Sequence, residues 1–95
     1  MLGIVSKMKT VSGKAEEYEA LVRRVAALSL EREPGCHYYC GYREQNKDNH
    51  FIVIEHYTDR AALAAHRDSE HFRQAMVDVV GLVEGAPDIT FYDVI

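Results

Sequence analysis

The chain has 95 residues, 15 of them acidic and 11 basic, with a formal net charge of −4. That length accommodates one core, so residues 1–95 are expected to form a single domain. The scattered, mildly acidic charge excludes nucleic acid and an anionic membrane surface as main partners.

Leu2–Lys9 reads as a strand that alternates Val5 against Ile4 and Met8. Thr10–Lys14 is a break, with Ser12 expected in the N-cap region of the next element. From Ala15 to about Glu33, Tyr18, Leu21, Val22, Val25 and Leu28 recur at intervals of three and four, which predicts an amphipathic helix. Glu33-Pro34-Gly35 stops it. Cys36–Glu44 and His50–Tyr57 read as two strands joined by the polar turn 45–49, a hairpin.

Thr58 or Asp59 caps a second helical stretch carrying Leu63, His66, Phe72, Met76, Val79, Val80 and Val83. A break is expected near Asp68-Ser69, where Ser69 can cap a new segment. Gly85–Asp88 ends the stretch, and Ile89–Val94 is the last strand. The order β-α-β-β-α-β predicts an α+β, ferredoxin-like domain, a four-stranded antiparallel sheet with two helices on one face.

Cys36 and Cys40 are the only cysteines. Four strand steps separate them by about 13 Å, too far for an intrachain disulfide. Free thiols and no recognisable leader point to the cytoplasm. The longest clear apolar run, Phe51–Ile54, is far short of a membrane span.

In the third strand, Ile52 and Ile54 face one way while Phe51, Val53 and Tyr57 face the other. Helices can cover only one of these faces. A second copy of the chain is therefore expected on the other, giving a homodimer with sheets face to face.

Glu55 stands in that strand between apolar neighbours, where burial would raise its pKa toward an acid–base value. A structural acceptor role explains it equally well. His66, on the inward side of the second helical stretch, is the side chain best suited to proton transfer near neutrality; a satisfied core histidine is the plainer reading. His71 follows five residues later, an awkward interval for two ligands on one helical face, and no His-Glu-x-x-His pattern occurs. No metal site is expected. Tyr38, Tyr39, Tyr42, Tyr57, Phe72 and Met76 could line a small-molecule pocket or simply a core. Gly-rich phosphate loops, dinucleotide fingerprints and Ser/His/Asp or Cys/His nucleophile patterns are absent, so no cofactor is expected.

Glu33-Pro34-Gly35-Cys36 running into Tyr38-Tyr39, Phe51-Ile52-Val53-Ile54-Glu55-His56-Tyr57, and Ala65-His66 followed by Ser69-Glu70-His71-Phe72 carry a resemblance over nearly the whole chain. The sequence resembles the antibiotic-biosynthesis monooxygenase superfamily of dimeric α+β barrels. The resemblance implies a cofactor-free oxygenase that oxidises a small phenol, quinol or anthrone with O₂. It implies His66 as base, Glu55 or His71 orienting it, and Tyr39, Tyr57, Phe72 and Met76 as pocket wall. Haem-degrading relatives need an axial histidine where Met76 stands, which argues against haem. Two other roles remain open: an isomerase using a His66/Glu55 pair with Arg43 or Arg67 on a phosphate, and a non-catalytic binding protein for a small oxygenated metabolite.

Overall fold

The computed structural model describes residues Met1–Ile95. Seven elements follow in order: β1 (Leu2–Lys9), α1 (Ala15–Arg32), β2 (Cys36–Arg43), β3 (His50–Tyr57), α2 (Arg60–Asp68), α3 (Glu70–Asp78) and β4 (Asp88–Asp93). The strands form one sheet in the order β2-β3-β1-β4, and every neighbouring pair is antiparallel. This is the ferredoxin-like α+β architecture expected, with the second helix divided into α2 and α3.

Helix α1 buries Tyr18, Leu21, Val25 and Ser29. Ser29, rather than an apolar residue, completes the inward stripe, and it is fully buried. The expected cap at Ser12 does not form: Lys14 holds the N-cap position, without a side-chain cap bond. A tight turn closes instead, with the Lys14 N–H donating to the Val11 carbonyl at 3.0 Å and Gly13 at φ 83°. Only glycine takes that φ without strain.

At its other end, α1 stops because Pro34 disfavours helical backbone at the preceding residue. Glu33 is accordingly extended, at φ −106° and ψ 106°, with its N–H still donating to the Ser29 carbonyl. Gly35 then passes close under α2. A Cβ there would lie 2.5 Å from the Ala62 Cβ.

The hairpin turn places Asn46 and Asn49 at positive φ, which asparagine tolerates better than most residues. A bulge between Cys36 and Tyr38 shifts the β2–β3 register, so Cys36 faces the helices and Tyr38 the other side of the sheet. Asp59 caps α2, accepting the Ala62 N–H at 2.9 Å. Ser69 is extended, at ψ 151°, and its hydroxyl accepts the Phe72 N–H at 3.2 Å to begin α3. The chain therefore bends between His66 and His71.

The second helical stretch ends earlier than its apolar spacing suggests, at Asp78. Residues 79–84 turn instead, with Gly81 at φ 84°. Their backbone groups pair with the end of β1: Val11 N–H donates to Leu82 O, and Glu84 N–H to Lys9 O, each at 2.8 Å. Leu82 is buried and Val80 exposed, so Val80 does not belong to the helical stripe.

On β3, Phe51, Val53, Glu55 and Tyr57 face the helices and are buried; Ile52, Ile54 and His56 face away and are half-buried. The register extends the uncovered face across the sheet. Cys40, Ile54, Val5 and Thr90 form one cross-strand row, with Tyr42 and Ile52 in the next.

Candidate active site

An apolar cavity of about 220 Å³ lies between the sheet and the helices. Fourteen of its nineteen lining residues are hydrophobic, so an apolar ligand can lose its water there. The polar exceptions bear on its chemistry: Ser6 from β1, Glu55 from β3, and His66 and Arg67 from α2.

Helical spacing places His66 beside Leu63 on the inner face of α2, and the residue is 1% exposed. Its ring is ringed by aromatics, with centroids 4.8 Å from Phe72, 5.3 Å from Tyr57 and 5.8 Å from Tyr39. The two ring nitrogens have different surroundings. Nδ1 lies 2.9 Å and 3.1 Å from the two carboxylate oxygens of Glu33, and 3.4 Å from the Ser29 hydroxyl. A carboxylate can only accept, so Nδ1 carries the proton and donates. That leaves a lone pair on Nε2, which is buried and the one such side-chain N or O atom without a hydrogen-bond partner.

Glu55 stands 4.0 Å from that nitrogen through Oε1. Burial raises its pKa, opposed by a hydrogen bond from Tyr57, by the charge that His66 carries once protonated, and by the positive field of Arg67. The Tyr57 hydroxyl donates to Glu55 Oε1 at 2.5 Å. Burial first, and then the Glu55 carboxylate, push the Tyr57 phenol well above its ordinary value. Burial likewise raises the Tyr39 phenol and takes that of Tyr18 up to about 12, so all three remain protonated at neutral pH.

His71, at the start of α3, donates through Nε2 to Glu33 Oε2, the oxygen that also receives His66. The five-residue interval that separates two imidazoles on a continuous helix does not do so here. The bend at Ser69 turns both toward one carboxylate. His71 does not orient His66 directly; it holds the residue that does.

The structure brings His66, Glu55, Tyr39, Phe72 and Met76 to the cavity, with Met76 46% exposed at its rim. Tyr57 and His71 are not in the lining. Tyr57 is fully buried in the core cluster of Ile4, Cys36 and Leu63, because strand alternation points it under α2, where it reaches Glu55. Arg67 lines the cavity. Arg43 does not: it pairs with Glu19 at 3.1 Å and lies over the Phe51 ring. Glu33, expected only as part of the helix stop, is a member of the site that no sequence pattern singled out. The available signal was an acid held outside the helix by the following proline, in a segment otherwise turning inward.

A family model described as "Antibiotic biosynthesis monooxygenase" matches residues 1–78. The chain belongs to the antibiotic biosynthesis monooxygenase family. Among solved structures, a candidate antibiotic biosynthesis monooxygenase from Caulobacter crescentus shares 30% identity at a TM-score of 0.92, covering 99% of this chain and 89% of that one. A protein from Pseudomonas aeruginosa shares 26% identity at a TM-score of 0.88, covering 99% and 93%. A Mycobacterium tuberculosis structure, at 20% identity and a TM-score of 0.87, covers 99% and 94% and shares the fold. An uncharacterized protein of Synechocystis is 31% identical over 86 residues, 90% of this chain and 53% of its own length. The chain thus spans about half the length of that curated relative. No helix is long and apolar enough to cross a membrane.

Proposed function

We propose that the protein is a cofactor-independent monooxygenase that oxidises a small phenolic, quinol or anthrone-type substrate with O₂. The observation that carries this reading is the lone-pair nitrogen of His66, buried at the wall of an apolar cavity and fixed in tautomer by Glu33. Family membership supports a monooxygenase, and the apolar lining suits an aromatic ring.

The chemistry asks little of the protein beyond a base and a dry pocket. His66 Nε2 removes a proton from the substrate's hydroxyl or activated CH₂, and Glu33 stabilises the imidazolium that forms. The substrate anion gives one electron to O₂, and the resulting radical and superoxide combine to form a C–O bond. The peroxide takes that proton back from the His66 imidazolium, which restores the base. For a CH₂ substrate, loss of the second C–H proton breaks the O–O bond, leaving a carbonyl and water. The overall reaction is CH₂ + O₂ → C=O + H₂O, in which O₂ takes up four electrons, two from each cleaved C–H bond.

The assembly that completes this reading is a homodimer. A second copy would cover the row of Cys40, Ile54, Val5 and Thr90 and the neighbouring Ile52, which no element of this chain covers. Sedimentation showing only monomer at micromolar concentration would overturn the dimer. Unpaired Cys36 and Cys40 suit a reducing compartment, the cytoplasm.

Oxygen-electrode measurements with a hydroquinone and anthrone panel test the activity. Oxygen uptake with at least one panel member, lost in His66→Ala, is expected. Uptake at the wild-type rate in that variant would remove His66 from the reaction. No uptake, with thermal stabilisation by sugar phosphates, would favour an isomerase that uses Arg67.

A further inference from the structure

Two imidazoles and a carboxylate converge behind His66, on the side away from the cavity. Glu33 comes from the end of α1, His66 from α2 and His71 from α3. Their ligand atoms all lie within 4.8 Å of one another. The side chains are 10%, 1% and 5% exposed respectively, so the donors are already desolvated and held in place. We propose that Glu33, His66 Nδ1 and His71 Nε2 bind Zn²⁺, and that the bound metal withdraws the cavity base. The second half of the proposal rests on the reading of His66 as that base.

Two histidines, one carboxylate and an open fourth position form a recurrent three-ligand zinc set. The fourth position has access to solvent: Glu33 and His71 line a surface cleft together with Gly35, Ser69 and Glu70. Glu70 and Arg32 also line that cleft, one charge of each sign.

The outer shell also fits. A metal on Nδ1 displaces the proton that Nδ1 now donates to Glu33, and the imidazole then carries its hydrogen on Nε2. That nitrogen has no partner now, but it faces the Glu55 carboxylate at 4.0 Å. Closing that gap to hydrogen-bond distance would give a carboxylate–histidine–metal relay, the arrangement that orients ligating histidines in metal sites generally. The same exchange removes the lone pair from the cavity. Because the imidazole ring stands between the proposed ion and the substrate cavity, the ion acts on the base rather than on oxygen.

The test is calorimetric titration of chelator-treated, full-length protein with Zn²⁺, paired with nitrogen NMR of the histidine rings. One Zn²⁺ per chain is expected, with affinity falling more than about tenfold in Glu33→Gln and in His71→Gln, and unchanged in His37→Gln. Circular dichroism of each variant shows whether it remains folded. If Glu33→Gln does not fold, His71→Gln decides alone. On zinc addition, His66 Nε2 should change from an unprotonated to a protonated ring nitrogen. Absence of binding, or equal affinity in the folded variants, overturns the site. Binding without the change at Nε2 overturns the withdrawal of the base. Both readouts are independent of oxygen uptake, so a protein that binds zinc but never consumes O₂ would refute the oxygenase and leave the metal site standing.

Discussion

The Nδ1 atom of His66 lies 2.9 Å from Oε2 of Glu33, a residue 33 positions earlier in the chain. That contact sets which nitrogen of a buried imidazole faces the cavity, and most of the site's chemistry depends on it. A neutral histidine without it would exchange tautomers, presenting an N–H to the substrate part of the time.

His66→Ala should lower oxygen consumption by roughly 10²–10⁴-fold, the usual contribution of a positioned general base. Glu33→Gln keeps an acceptor near Nδ1 but removes the charge that stabilises the imidazolium. Its loss should be smaller, about 10–100-fold, and should appear in kcat more than in KM. Steady-state oxygen-electrode kinetics with the best panel substrate measure both.

Glu55 makes stability depend on pH. Burial raises its carboxyl pKa above the ordinary 4.5, so the folded protein holds that proton more tightly than the unfolded chain does. The stability from the neutral form is complete below about pH 4.5 and is lost as pH rises through the folded value. Glu55→Gln remains neutral and lacks this loss. Urea midpoints should therefore show wild type losing ground to the variant as pH increases from 4.5, with a constant gap once Glu55 is fully ionised. Parallel curves over that range would contradict the assignment.

The two thiols should react at different rates. Cys36 is buried, and burial followed by the Glu33 and Glu55 charges pushes its thiol up to about 11. Little thiolate exists near neutrality, and the thiolate is the nucleophile. Cys40 is half-buried on the uncovered sheet face. Alkylation of native protein should stop at one adduct, on Cys40, as read by mass spectrometry, with Cys36 modified only after unfolding. A homodimer would further slow Cys40 as protein concentration rises.

Gly35→Ala should disturb both fold and site. Its new Cβ would come within 2.5 Å of the Ala62 Cβ, and a methyl on a helix cannot rotate aside. Overpacking of this kind costs about 1–3 kcal/mol. Because Ala62 and His66 share a face of α2, relieving the clash should also move His66 away from Glu33. A lower melting temperature together with slower oxygen uptake is the expected pair, and a variant melting with the wild type would contradict it.

Much of the fold was legible locally. Alternation in Phe51–Tyr57 identified β3 and both of its faces, and the three-and-four spacing of Tyr18, Leu21 and Val25 identified α1. Capping chemistry placed the start of α2 at Thr58 or Asp59, of which Asp59 is the cap, and that of α3 at Ser69. Expectation failed where backbone partners came from elsewhere in the chain. Val80 and Val83 follow a helical spacing, but the carbonyl of Leu82 and the N–H of Glu84 are taken by Val11 and Lys9. Ser12 had the chemistry of a cap, but Gly13 closed a turn that left it none to form.

For the site, residue order alone made the reactive inventory legible: an inward histidine, a strand carboxylate, aromatic neighbours and no cofactor-binding motif. These follow from residue type and short-range periodicity, which act within a few positions. Their partners come from the packing of distant elements. It put Tyr57 on Glu55 rather than in the cavity, and it brought His71 to His66 through the shared carboxylate of Glu33. Those contacts join residues up to 38 positions apart. Their geometry depends on how a proline-ended helix and a serine-bent pair of helices pack over one sheet, and no local periodicity records that.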